Sequence, residues 1–241
     1  MQTVFRAEYA GHPVKYAFRY PATREHFRKW LEPGEGEADL QATPDEIAFA
    51  HSLIPSENPE DIAEFKSLIG LTSNFLLRWD CCLFHAVSFL WRERAWLLTA
   101  PSGTGKTTQF LNWRKFAPLE IMMISGDIPM LEQRGQELWV HPSPWNGKET
   151  IGTLFSAPLG GTVILEQGSE NRISSLTARE ALPALIEQLT AQPETEAEIL
   201  AMCRILEGVL KRPVWKLVNR GDLASTELLR RTLAGGIEDE V

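Results

Sequence analysis

The sequence predicts an α/β chain built around a phosphate-binding loop, on three observations. Ala100-Pro101-Ser102-Gly103-Thr104-Gly105-Lys106-Thr107-Thr108 follows the pattern G-x-x-x-x-G-K-[ST], with Ala100 where the first glycine usually stands. Ala95-Trp96-Leu97-Leu98-Thr99, just before it, is a short apolar run of buried-strand type. Thr107 to Phe116, just after it, carries Phe110, Leu111 and Trp113 without proline or glycine, as a first helix requires. Strand, loop and helix in this order are the context that separates a working phosphate loop from a glycine-rich turn.

The loop's residues state its chemistry. Gly103 and Gly105 let the backbone curl so that successive N–H groups point inward at phosphate oxygens. Lys106 has the reach for the β- and γ-phosphates, and Thr107 is placed to hold Mg²⁺. Ser102, Gly103, Thr104, Gly105, Lys106, Thr107 and Thr108 are therefore the expected nucleotide contacts.

A chain of 241 residues makes one large domain or two small ones, and 44% hydrophobic residues supply a core that needs no staples. Net charge −8 and a pI near 5.3 argue against nucleic acid or an anionic membrane surface as the main partner. Cys81, Cys82 and Cys203 are an odd set without C-x-x-C spacing and read as reduced core thiols. With no signal peptide and no apolar run long enough to cross a bilayer, the expected location is cytoplasmic.

Before the loop, Thr3 to Tyr9 and Val14 to Tyr20 alternate around Ala10-Gly11-His12-Pro13 and predict a β-hairpin. Pro21 opens a short helix through Phe27, Trp30 and Leu31, stopped by Pro33-Gly34-Glu35-Gly36. Ala38 to Thr43 is extended, Pro44-Asp45-Glu46-Ile47 opens a helix with acids in its first turn, and another runs from Asn58 past Gly70 toward Leu77. Residues 1–79 carry no catalytic motif, and Trp30 and Trp79 read as core. The expected divisions are this N-terminal region, a nucleotide-binding core over 80–236 and an acidic tail over 237–241.

Cys82 to Leu90 reads as one strand, and Trp91-Arg92-Glu93-Arg94 as the break before the next. A tight hairpin centred on Arg92-Glu93 sets Leu90 opposite Ala95 and His85 opposite Ala100, at the mouth of the loop. His85 is then either a satisfied core histidine or an imidazole within reach of phosphate or metal. Ile121 to Ser125 is a buried strand ending in Gly126-Asp127, so Asp127 is the first acid to consider for Mg²⁺ or a nucleophile.

Met130 to Glu132 and Glu137 to Val140 form a hairpin around Gln133-Arg134-Gly135-Gln136. His141 to Glu149 has the composition of an ordered loop over a site; there Lys148 would neutralise phosphoryl charge and Glu149 would take a proton or face a metal, unless the pair is simply solvated. A strand at Gly160 to Gln167, helices at Thr177 to Thr190 and Glu194 to Leu210, a strand at Pro213 to Val218 and a helix from Asp222 to Leu233, stopped by Gly235-Gly236, complete the chain.

Phe84-His85-Ala86, then Ser102 to Thr108, then Ile124-Ser125-Gly126-Asp127, resemble in their order the HPr kinase and ATP-dependent phosphoenolpyruvate carboxykinase superfamily. The proline-flanked Trp145 loop through Glu149 and the ending Pro213-Val214-Trp215-Lys216-Leu217 resemble its smaller HPr-kinase-like members. The likeness spans about residues 80–235. It implies a P-loop-containing fold of mixed β-sheets with flanking helices, and transfer of the γ-phosphoryl group of ATP to a hydroxyl, most often of serine. By position, Lys106 and Thr107 match the loop pair, His85 the histidine of the preceding strand, and Asp127 the second acid of an Asp-Asp pair, with Thr107 and Asp127 on Mg²⁺.

Gly126 stands where the first acid, the general-base candidate, would be. Either Asp127 combines both roles, or Glu149 substitutes, or transfer is lost. The chain also lacks the glycine- and arginine-containing C-terminal signature of true HPr kinase/phosphorylases. The expected function is an ATP- and Mg²⁺-dependent kinase acting on a hydroxyl of a peptide, protein or small molecule, with an oligomer left open. Its catalytic residues would be Asp127, His85, Lys106 and Glu149. The alternative is a nucleotide-binding sensor or accessory protein that keeps the loop and no longer transfers phosphate.

Overall fold

Alternating buried and outward residues pair Phe5–Tyr9 (β1) with His12–Tyr16 (β2), and Ala10-Gly11 closes the hairpin with both φ angles positive. The computed structural model describes residues 3–55, 57–146 and 154–238. Pro21–Phe27 forms helix α1, which stops short of Trp30 and Leu31. Leu31–Pro33 is instead a strand, β3, because its backbone completes the free edge of β1 opposite Phe5 to Ala7. Ala38 to Thr43 makes only one bridge, Leu40 to Tyr16. Thr43 and Glu46 cap α2 (Pro44–Ser52) reciprocally, and α3 (Glu60–Leu76) runs unbroken through Gly70.

The N-terminal sheet is fastened to α3 by polar groups as well as by packing. Tyr9 and Tyr16 hydroxyls share a buried hydrogen bond of 2.8 Å, and Tyr16 continues it to Thr72 at 2.9 Å. Burial raises the pKa of both phenols, so the chain stays neutral and satisfied. The core around them takes in Phe27, Leu68 and Leu76, and also Leu83, Ile128, Met130 and Trp145 from later in the chain. Trp30 and Trp79 pack against it, as the sequence leads one to expect.

Residues 82–90 do not make one strand. Cys81–Leu83 (β4) and Val87–Trp91 (β5) are separated by Phe84-His85-Ala86 and lie toward opposite ends of a large sheet. Arg94–Thr99 (β6) returns from β5 in the expected register, Leu90 opposite Ala95, through an Arg92-Glu93 turn with both φ angles positive. Lys106–Phe116 (α4), Met122–Ser125 (β7), Met130–Arg134 (β8), Glu137–His141 (β9) and Ala157–Gln167 (β10) follow. Arg172–Leu176 (β11), exposed along most of its length, carries no apolar alternation that would have disclosed it.

Ala178–Ile186 (α5) ends before Thr190, with Pro183 inside it. Glu196–Leu210 (α6), Val214–Asn219 (β12) and Leu223–Glu238 (α7) complete the fold. Helix α7 continues through Gly235-Gly236 rather than stopping there; glycine lowers helix propensity without forbidding it. Cys81 and Cys82 are buried as expected, whereas Cys203 lies on the exposed side of α6.

Among the described residues the main sheet has nine strands, in the order β4-β8-β9-β10-β6-β5-β7, with β12 added to β10 and β11 to β12. Strand β10 is the pivot. Its first residues pair antiparallel with β9, and beyond Leu159 it pairs parallel with β6 and β12. β6 is buried on both faces, Leu97 packing toward α6 and Trp96 and Leu98 toward α4 and α7, which explains its uninterrupted apolar run. The fold is thus mixed α/β, a curled sheet with flanking helices.

Gly160 and Gly161 occupy the bend of β10. A Cβ at Gly161 would stand 2.8 Å from the Trp215 ring and 2.9 Å from Pro213 O, and one at Gly160 2.8 Å from Arg94 Cβ. Gly161→Ala is expected to destabilise the chain by about 1–3 kcal/mol, as overpacking of a closed core does. Urea unfolding with an unchanged midpoint would show that the bend has room to spare.

Candidate functional site

The curled sheet brings two short connections together. Phe84 N–H donates to Pro129 O (3.0 Å) and Ala86 N–H to Asp127 O (2.9 Å), so residues 84–86 run alongside 126–129 and close a seam between the two ends of the sheet. His85, between these two anchors, donates its own N–H to Gln188 O at 2.8 Å. Three backbone bonds therefore hold the histidine's position before its side chain makes any contact.

The side chain adds two more. His85 Nδ1 lies 3.0 Å from Oε1 of the buried Gln188, and Nε2 lies 3.5 Å from Asp127 Oδ1. With Gln188 Oε1 accepting, the ring proton sits on Nδ1 and Nε2 faces the carboxylate. Thr99 Oγ1 donates to His85 O (2.8 Å), which ties the histidine to the end of the strand that feeds the glycine loop. The expected neighbourhood of His85 and Ala100 arises through this side-chain bond rather than through continued strand pairing, which ends at Val87 and Leu98.

The loop itself turns on Gly103 (φ +81°) and Gly105 (φ +103°), and Gly105 is the N-cap of α4 with no side chain capping the first turn. That leaves the first N–H groups of α4 without intrahelical partners, the arrangement that receives anions. Ser102, Gly103 and Thr108 are exposed, and Thr104, Gly105 and Thr107 half-buried. Lys106 is buried, its Nζ 2.8 Å from Ala100 O and 3.4 Å from Pro101 O. Burial lowers its pKa, and the charge of Asp127 opposes that shift, so the two residues share one electrostatic environment.

Helix α4 is fixed from behind. Gln109 Nε2 donates to Asn219 Oδ1 (3.0 Å) and Ser225 Oγ (2.7 Å), and Thr226 Oγ1 donates to Gln109 Oε1 (2.8 Å). This fully buried network spans α4, β12 and α7 and sets the angle at which the helix presents its first turn. Gln167 Nε2 reaches Gly103 O at 3.3 Å from the end of β10.

The structure therefore groups His85, Asp127 and Lys106 around the glycine loop. Asp127 follows β7, which pairs with β5 and not with the loop's own strand β6, so the acid arrives one strand further away than adjacency in the sequence suggests. Glu149 and Lys148 lie outside the described residues. Gln188 and Asn146 are site residues that sequence reading missed. Neither stands in a motif, and both arrive by long-range folding.

Asn146 explains Gly126. Its Oδ1 accepts from Gly126 N–H at 2.7 Å, and its backbone oxygen lies 2.7 Å from where a Cβ on Gly126 would stand. The residue in the place of the missing acid is thus roofed by the 143–146 segment, which Trp145 anchors in the N-terminal core. Ile128 N–H donates to Trp145 O at 3.0 Å, and Trp145 Nε1–H donates to Phe65 O at 3.1 Å.

No family model matches this chain. No curated protein matches it. Among solved structures, the HPr(Ser) kinase/phosphatase from Coxiella burnetii is similar to it with a TM-score of 0.38 at 13% identity, over 66% of this chain and 97% of that one. No helix of the described residues is long and apolar enough to cross a membrane.

Gly126→Ala should displace Asn146 and cost about 1–3 kcal/mol. Chemical denaturation checks this, and a variant as stable as the parent would show that the roof over position 126 yields freely.

Proposed function

We propose that the chain is an ATP- and Mg²⁺-dependent phosphotransferase acting on a hydroxyl, with serine in a peptide or protein as the first acceptor class to test. The observation that carries this reading is the convergence of a buried lysine, an uncapped helix start and the His85–Asp127 pair at one loop. The motif order that resembles HPr-kinase-like proteins supports it from the sequence side.

The residues fit the groups they would hold. First-turn N–H groups of α4 and Lys106 Nζ supply donors for phosphate oxygens, and Lys106 exchanges its bonds to Ala100 and Pro101 carbonyls for them. Thr107 and Asp127 offer the oxygen ligands that Mg²⁺ prefers, and the ion would neutralise charge on the transferring group. The acceptor oxygen bonds to the γ-phosphorus, the bond to the bridging oxygen breaks, and ADP leaves. Asp127 takes the hydroxyl proton, and His85, held by Gln188, orients Asp127.

One observation favours a second reading. Gly126 is covered by Asn146, so an acid at that position has no space beside Asp127. A nucleotide sensor that binds without transfer would tolerate this arrangement.

Incubation with γ-labelled ATP and Mg²⁺ and fractionated acceptors separates the two. Transfer by the parent chain that falls at least about a hundredfold in Lys106→Ala and in Asp127→Asn, with folding intact, is the outcome the kinase reading requires. Binding of ATP with no labelled acceptor in any fraction would favour the sensor.

The charge coupling gives a pH prediction. Because Asp127 raises the Lys106 pKa against the lowering effect of burial, Asp127→Asn lets that pKa fall further. The loss of Mg²⁺-free ATP binding on the alkaline side then begins at lower pH in the variant. Titration calorimetry across the alkaline range reads this directly, and an alkaline limb shifted upward would contradict the coupling.

A further inference from the structure

Away from the glycine loop, three elements distant in sequence bring metal-ligating side chains together. A ring nitrogen of His12 at the start of β2, Sγ of Cys81 at the start of β4 and a carboxylate oxygen of Glu132 in β8 all lie within 4.8 Å of one another. Cys81 and Glu132 are buried and His12 half-buried, so this is an interior cluster with one open side. His12 Nε2 is 3.7 Å from Glu132 Oε1, close to the separation of about 3.3 Å between two ligands of a tetrahedral ion with bonds near 2.0 Å.

Each ligand is already oriented by a neighbour. The His12 ring stacks on Trp79 at 4.8 Å and 10°, and Cys81 Sγ rests 3.2 Å from Trp79 O. Glu132 divides its oxygens: Oε2 faces Arg134 Nε at 2.5 Å and His141 Nε2 at 2.8 Å, which leaves Oε1 toward His12. His141 is itself held through Nδ1 by Ser156 Oγ at 2.7 Å. A carboxylate ligand whose second oxygen is fixed by an outer shell is the usual construction of a metal centre.

We propose that His12, Cys81 and Glu132 bind a divalent transition ion of the Zn²⁺ class, with water in the fourth position, and that the ion clamps the N-terminal hairpin to the main sheet. The donor set of one nitrogen, one sulfur and one oxygen selects Zn²⁺ over Mg²⁺ and Ca²⁺, which take oxygen. Binding replaces the Cys81 S–H bond with a sulfur–metal bond and releases the proton to solvent. Because β2, β4 and β8 belong to two different sheets, the ion would bridge them where the backbone does not.

The test uses the untagged full chain carrying Cys203→Ser, which removes the exposed thiol, stripped of metal and titrated with Co²⁺ and then Zn²⁺. The parent should bind one equivalent of Co²⁺ with a thiolate-to-cobalt charge-transfer band, and Zn²⁺ should displace it and raise Tm. Cys81→Ser should lose the band, and His12→Gln, a change at a half-buried position, should weaken Zn²⁺ binding at least about tenfold. Absence of the band in the parent, its persistence in Cys81→Ser, or equal Zn²⁺ stabilisation of His12→Gln and parent would overturn the proposal and leave Glu132 an ion-pair partner of Arg134 and His141 alone. Since Asp127 and Thr107 carry no sulfur, ions bound at the glycine loop cannot produce the band.

Discussion

Two backbone hydrogen bonds, Phe84 N–H to Pro129 O and Ala86 N–H to Asp127 O, hold together the part of the molecule on which its chemistry rests. They join connections that leave opposite ends of a curled sheet, so the seam exists only once every strand between those ends is in place. Its residues are of high contact order and cheap to lose individually, yet the cooperativity of the sheet makes the seam rigid. His85 and Asp127 meet because of that closure. The bend of β10 at Gly160-Gly161, where Trp96 and Trp215 leave no room for a side chain, is what lets the sheet curl far enough.

Around this seam the buried polar groups act as spacers more than as sources of net stability. The Gln109 network satisfies its members and fixes the direction of α4, and the Tyr9–Tyr16–Thr72 chain does the same for the N-terminal sheet. Apolar burial on both faces of β6 supplies the larger driving force, about 1.5–3 kcal/mol for each fully buried side chain such as Leu97 or Leu98. Function and stability are thereby separated: the strand carries the core, and the loop at its end carries exposed polar groups.

Local patterns in the sequence were enough for the strand before the loop, the helix after it, the 92–93 turn and its Leu90–Ala95 register, because each is decided within a few residues. The break of the 82–90 run into two strands was not legible, since Phe84 and Ala86 are as apolar as their neighbours and only distant partners reveal the seam. Leu31 looked helical for a similar reason: the β1 edge that claims it lies more than twenty residues back. His85, Asp127 and Lys106 could be named from motif and register. Gln188 and Asn146 could not, because a glutamine after a helix and an asparagine in a proline-rich loop carry no signal of their destination. Gly126 shows the limit in the other direction, since its lack of a side chain is visible in the sequence and the reason for it, Asn146, only in space.

The central claim is that phosphate groups sit on residues 102–108 beside the seam. Amide hydrogen exchange with and without ATP and Mg²⁺ tests it most directly. The account predicts new protection confined to the amides from Ser102 to Thr108 and to the Ser125–Asp127 segment. Unchanged exchange there at saturating ATP, or protection on another face of the sheet, would contradict it.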